Sequence, residues 1–119
     1  DAMLRKLESK GRPSVKQRSV HWIPSVASLY GQTLLRQENS YFSIGERCNA
    51  NGSKKWRELQ EAGDWDGCVE MAREQVREGS NALDLCTAFV GRDELGEMNA
   101  ALVPIAKAVT APLVIDSTE

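Results

Sequence analysis

Ala82-Leu83-Asp84-Leu85-Cys86 is the stretch that decides the fold. Its apolar residues are interrupted only by one carboxylate, and Gly79-Ser80-Asn81 mark its start. A short apolar run bounded by turn residues reads as a strand buried on both faces, the habit of parallel sheets. Upstream, Trp65, Val69, Ala72 and Val76 recur at four, three and four residues within 64–78, which predicts a helix with one buried stripe. Glu70, Arg73, Glu74 and Arg77 fall on its other faces, and Gly79 is placed to stop it. A further helical signal covers Ser53 to Ala62. Ahead of it, Tyr41–Ile44 reads as a strand, with Gly45 permitting a tight turn.

Downstream, a helix beginning near Arg92–Asp93 carries Leu95, Met98, Leu102, Ile105 and Val109 at helical spacing. Pro104 removes one backbone donor from that run and predicts a kink or two short helices. Leu113–Ile115, behind Pro112, is the third strand. Strands separated by helical crossovers of this length are parallel and joined in the right-handed sense. A doubly wound sheet and a (βα)8 TIM barrel both begin this way. A barrel takes about 250 residues, so a 119-residue chain would hold only its first three strands.

The N-terminal third reads differently. Asp1 to Ser9 has the pattern of a helix end, with Leu4 and Leu7 on one side and Gly11 near its close. Residues 11–40 show no sustained period and are expected to form a linker. It should lie against neighbouring structure, because His21, Trp22, Ile23, Val26, Leu29 and Tyr30 are costly to leave in water. The expected organisation is therefore 1–10, the end of a preceding unit; 11–40, a linker; and 41–119, the α/β segment. The chain opens mid-pattern and stops directly after a strand, which predicts a piece of a longer polypeptide.

Composition narrows the function classes. The net charge of −2 and the absence of a basic stripe argue against nucleic-acid binding. No apolar stretch nears the ~20 residues that cross a bilayer, and Met3-Leu4-Arg5-Lys6-Leu7-Glu8 is too charged for a signal peptide. Cys48, Cys68 and Cys86 are odd in number and dispersed, which fits neither a disulfide framework nor a self-contained zinc site and points to a reducing, cytoplasmic setting.

The chemistry gathers where the strands end. Ligands of parallel α/β folds bind at the carboxyl ends of the strands. Asp116 follows Leu113-Val114-Ile115 directly, and its carboxylate suits a planar N–H/NH2 edge such as that of a pterin or guanine. From position alone a helix cap shared with Ser117 and Thr118 is equally well supported. Asp84, between leucines, needs a partner, and a structural anchor serves as well as a ligand. Glu46, Arg47, Asn49 and Asn51 form a dense polar loop before Gly52-Ser53, which reads either as a heterocycle contact or as a polar turn with a helix cap. No Walker or GxGxxG pattern is present, and the single histidine, His21, leaves no basis for a nucleophile–histidine triad.

Ile44-Gly45-Glu46-Arg47-Cys48-Asn49-Ala50-Asn51-Gly52-Ser53-Lys54-Lys55 resembles the start of the pterin-binding barrel of the cobalamin-dependent methionine synthase family. The likeness continues through Gly79-Ser80-Asn81-Ala82-Leu83-Asp84-Leu85-Cys86 and Pro112 to Glu119, covering about Val26 to Glu119. Residues 1–25 look like the exit from a homocysteine-binding barrel. The resemblance implies a barrel that binds 5-methyltetrahydrofolate as substrate and presents its N5-methyl group to cob(I)alamin carried on another domain of the same polypeptide. It implies zinc in the homocysteine domain, with zinc and cobalamin both bound outside this segment. It places Asp116, with Ser117 beside it, at the pterin's amino edge, Asn49 beside the ring, Glu46 near the base of the site and Asp84 deeper in the pocket.

The leaving N5 is a tertiary amine and must gain a proton, so the protein's part is orientation and electrostatic support. Cys48 stands where the family commonly has threonine, and Pro104 interrupts a helix usually continuous in it. Lacking the later strands, the segment alone is expected to be inactive. Two further readings remain: a dihydropteroate synthase-like pterin enzyme, and a non-catalytic binding module derived from such a barrel.

Overall fold

Trp56, Leu83, Leu85 and Ile105 meet, fully buried, in the layer between a parallel sheet and the helices that cover it. The computed structural model describes residues 2–8 and 19–118. A short helix α1 (Ala2–Glu8) is followed by two short strands, β1 (Ser25–Ala27) and β2 (Gln32–Leu34). Then come β3 (Ile44–Asn49), α2 (Lys54–Ala62), α3 (Trp65–Arg77), β4 (Ala82–Cys86), α4 (Glu94–Ala108) and β5 (Leu113–Ile115). The sheet has the order β3-β4-β5, and both pairings are parallel. Three parallel strands in chain order, with helical crossovers, are the arrangement with which a (βα)8 barrel opens.

The helices α2, α3 and α4 each start on a side chain that takes up a free N–H of the first turn. Ser53 accepts from the Trp56 amide, Asp64 from Gly67 and Asp93 from Gly96. The helix 65–77 buries Val69 and Ala72 of its expected stripe and half-buries Trp65 and Val76. It ends at Gly79, whose φ of +100° is the left-handed conformation that a glycine supplies cheaply.

Several expectations are corrected. The first strand of the sheet is Ile44–Asn49 rather than Tyr41–Ile44. Backbone pairing with β4 runs on through Cys48 and Asn49, so cross-strand hydrogen bonds prevail over the polar character of these residues. Gly45 lies inside that strand and not in a turn. Its lack of a side chain matters instead for close approach, because a Cβ there would stand 2.7 Å from Gln75 Oε1 and 2.8 Å from Ser80 Oγ. Pro104 does not divide the third covering helix, which runs unbroken as α4. Leu95 of the expected stripe is 71% exposed, whereas Met98, Ala101 and Ile105 are buried in the core.

Residues 25–34 hold an antiparallel β1–β2 pair that the sequence does not announce. Trp22, Ile23 and Leu29 are exposed, whereas the Tyr30 hydroxyl donates to the Lys107 carbonyl in the last turn of α4. That carbonyl is one of the orphan acceptors of a helix end. Gly11 lies outside the described residues. Among the described residues no helix is long and apolar enough to cross a membrane.

Candidate functional site

Alternation along β4 sends Leu83 and Leu85 into the core, so Asp84 and Cys86 face the other side of the sheet. In a parallel sheet laterally paired residues share a face. Asn49 pairs with Cys86 and Asp84 with Val114, and Asp116 lies two residues beyond Val114. The three strand ends thus bring Asn49, Asp84 and Asp116 to one face at one end.

Their side chains meet there. Asn49 Nδ2 donates to Asp84 Oδ2 at 2.7 Å and to Asp116 Oδ2 at 3.4 Å. Asn49 Oδ1 accepts from the amides of Asn51 at 2.8 Å and Gly52 at 3.3 Å. This folds the loop back on the strand end as an Asx turn and leads into the Ser53 cap of α2. Asn49 is buried, Asp84 half-buried and Asp116 exposed. All four hydrogen-bonding positions of the Asn49 amide are used within the protein, so it fixes the two carboxylates.

Asn49 reaches this face because β3 is bulged. Gly45 pairs with Leu83 and Cys48 with Leu85, so three steps on β3 match two on β4. Strict alternation from the helix-facing Gly45 would turn Cys48 to the site and Asn49 to the core. One extra residue reverses both. The bulge therefore decides which side chain the site receives.

Cys86, which the sequence reading did not single out, sits in the same cluster. Asn51 Nδ2 lies 3.7 Å from its sulfur. Burial pushes the Cys86 thiol pKa up; a backbone hydrogen bond at Ala88 opposes this, and the Asp116 and Asp84 carboxylates add to it. Its signal was available in the sequence, two residues beyond Asp84 on the same strand face.

The other expected site residues lie apart from this trio. Glu46 lines a cleft of about 520 Å³ together with Arg47, Lys54, Gln75 and Ser80, and no hydrogen bond joins it to Asn49, Asp84 or Asp116. Ser117 Oγ donates to Glu94 Oε1 at 2.7 Å, and the same carboxylate accepts from the Thr118 hydroxyl and, at 3.0 Å, the Thr118 amide. The Thr118 hydroxyl, then the Ser117 hydroxyl and the Thr118 amide, hold the Glu94 carboxyl below its usual range. Glu94 thus tethers the chain after β5 to the first turn of α4. A second cleft of about 360 Å³, lined by Asn51, Phe89, Val90, Arg92, Glu94 and Thr118, opens beside the strand ends. Arg57 braces its rim, donating to the Ala50 carbonyl at 2.7 Å and lying over the Phe89 ring. Among the described residues no group of three or more His, Cys, Asp or Glu could hold a metal ion.

Comparison with known proteins places this geometry. The pterin binding enzyme family matches residues 45–119, which include β3 from its second residue, β4, β5 and all three strand-end residues. The chain is 45% identical over 103 residues to methionine synthase of Mycobacterium tuberculosis, a match covering 87% of this chain and 9% of that protein. It is 44% identical over 103 residues to methionine synthase of Mycobacterium leprae, covering 87% of this chain and 8% of that protein. The chain thus spans less than a tenth of the length of these relatives. With a matched segment that takes in all three strand ends and well over half of the chain, the chain belongs to the pterin binding enzyme family.

Proposed function

We propose that this chain is the opening part of the pterin-binding barrel of a methionine synthase, a methyltransferase that takes its methyl group from 5-methyltetrahydrofolate. Asp116 holds the amino and ring N–H edge of the pterin through paired hydrogen bonds. Asn49 fixes that carboxylate beside the ring, and Asp84 anchors Asn49 from deeper in the site. Glu46 stands near the base of the site, and Ser117 stands beside Asp116, held by Glu94. The observation that carries the reading is the convergence of Asn49 Nδ2 on both carboxylates at the ends of three neighbouring strands. The similarity to two methionine synthases supports methyl transfer over dihydropteroate synthesis.

In this reading residues 1–10 close the homocysteine domain, 11–40 are the interdomain linker and 41–119 begin the pterin domain. Cobalamin, held elsewhere in the polypeptide, supplies the methyl acceptor, and zinc belongs to the homocysteine domain. This chain's own residues bind and orient: they fix the pterin plane so that N5 faces out of the mouth, and their carboxylates set the local field around it.

Titration calorimetry of the full-length protein with 5-methyltetrahydrofolate tests the reading. Asp116→Ala removes a charge-assisted pair, and affinity should fall by about tenfold or more. Unchanged affinity in a folded variant would remove Asp116 from the role.

A further inference from the structure

Gln75 is a glutamine on a buried helix face, 2% exposed, on the opposite side of the sheet from the site. It follows Met71 and Ala72, both buried, by four and three residues, so it occupies a core position where an apolar side chain would be the cheaper choice. Its amide instead serves β3. Gln75 Oε1 accepts from the Arg47 backbone N–H at 2.8 Å, and Gln75 Nε2 donates to Cys48 Sγ at 3.1 Å. Arg47 lies inside the bulge, where the β4 ladder is interrupted. An unpaired amide there would carry the desolvation cost of an orphan donor. Gly45 leaves the room through which the Gln75 amide reaches the strand.

We propose that Gln75 is a positioning residue for the pterin site, acting from the far side of the sheet by holding the β3 bulge. With the bulge held, Cys48 packs in the core and Asn49 faces the mouth. With it released, the register relaxes by one residue and the two side chains exchange faces. The proposal rests on the pterin reading for its functional consequence, but its structural part stands on the bulge alone.

The test uses the full-length protein with Gln75→Met, which keeps the volume and loses both hydrogen bonds, and Gln75→Glu, which keeps an acceptor for the Arg47 amide. Thiol labelling with iodoacetamide under native conditions, read peptide by peptide, reports the register. Cys48 and Cys68 are both buried, at 1% and 0% exposure, and burial pushes both thiols up to about 12, so both are protected at the start. Gln75→Met should expose Cys48 to labelling while Cys68, in the core side of α3, stays protected, and Gln75→Glu should keep both protected. Affinity for 5-methyltetrahydrofolate should fall about tenfold in Gln75→Met, and that loss should vanish in an Asn49→Ala background, because the residue acts through Asn49.

Cys48 remaining protected in folded Gln75→Met overturns the proposal. So does joint labelling of Cys48 and Cys68, which marks general loosening, or equal labelling of Cys48 in the two variants. If Cys48 is selectively exposed but Asn49→Ala leaves affinity unchanged, the bulge role stands and the pterin reading fails.

Discussion

Replacing Asn49 by aspartate changes almost no volume and reverses the electrostatics of the strand-end cluster. The bond from Nδ2 to Asp84 Oδ2 at 2.7 Å reaches a carboxylate acceptor, a kind of bond that contributes about 1.5–3 kcal/mol. The 3.4 Å bond to Asp116 is near the limit of length and contributes less. In Asn49→Asp both contacts become carboxylate against carboxylate. Two like charges about 4 Å apart at an effective dielectric of about 20 repel by about 4 kcal/mol. Water screens the pair with exposed Asp116, and rotation relieves part of the pair with Asp84. Lost bond and residual repulsion together give about 3–5 kcal/mol at neutral pH, the range seen when a partly buried pair is broken.

The cross-strand amides of Ala50, bonded to the Cys86 carbonyl at 2.9 Å, and of Asp116, bonded to the Leu85 carbonyl at 3.0 Å, lie beside the cluster. Hydrogen exchange at these amides in the full-length protein should show protection reduced by about two to four orders of magnitude. A proton taken up by the folded cluster relieves the repulsion. The folded variant then binds more protons than the unfolded chain, so the penalty shrinks as pH falls below about 5 and is full near pH 8. Protection within tenfold of the wild type at pH 7, or a loss equal at pH 5 and pH 8, would refute the reasoning.

Gly45→Ala places a Cβ 2.7 Å from Gln75 Oε1, which must then leave the Arg47 amide; urea unfolding of the pterin domain should show a loss of about 1–3 kcal/mol, and a neutral result would show that the close approach is dispensable. The Glu94 carboxyl is held low in the folded state by Thr118 and Ser117. Its tether is therefore present above the unfolded carboxylate pKa and lost as pH falls through the folded value. The Thr118 amide resonance should move on acidification below the ordinary glutamate range in the wild type and stay fixed in Glu94→Gln; identical titrations would disconnect Glu94 from the β5 end.

The apolar strands and the amphipathic helices could be read directly from the sequence because burial on both faces leaves a simple pattern. Ala82–Cys86 and Leu113–Ile115 lie where their composition puts them, and Asp84 and Asp116 inherit their positions from those strands. Ile44–Asn49 was harder. Its last four residues are Glu46-Arg47-Cys48-Asn49, and backbone pairing with β4, which leaves no compositional trace, makes it a strand. The bulge is invisible for the same reason, since it is a mismatch between two strands and not a property of either. Gln75 did leave a signal, a polar residue at a core position of α3, and such a residue asks for a buried partner. The β1–β2 pair is only three residues on each strand, too short for alternation to register. Leu95 shows the limit of spacing arguments: it fits the stripe of α4 and is nevertheless 71% exposed.

The most direct measurement is the structure of the full-length protein with 5-methyltetrahydrofolate bound. The pterin's amino and ring N–H edge should lie within hydrogen-bonding distance of both Asp116 carboxylate oxygens, with Asn49 between Asp116 and Asp84 and facing the ring. A pterin held in the cleft at Glu46 and Arg47, or bound with Asn49 turned into the core, would contradict the account.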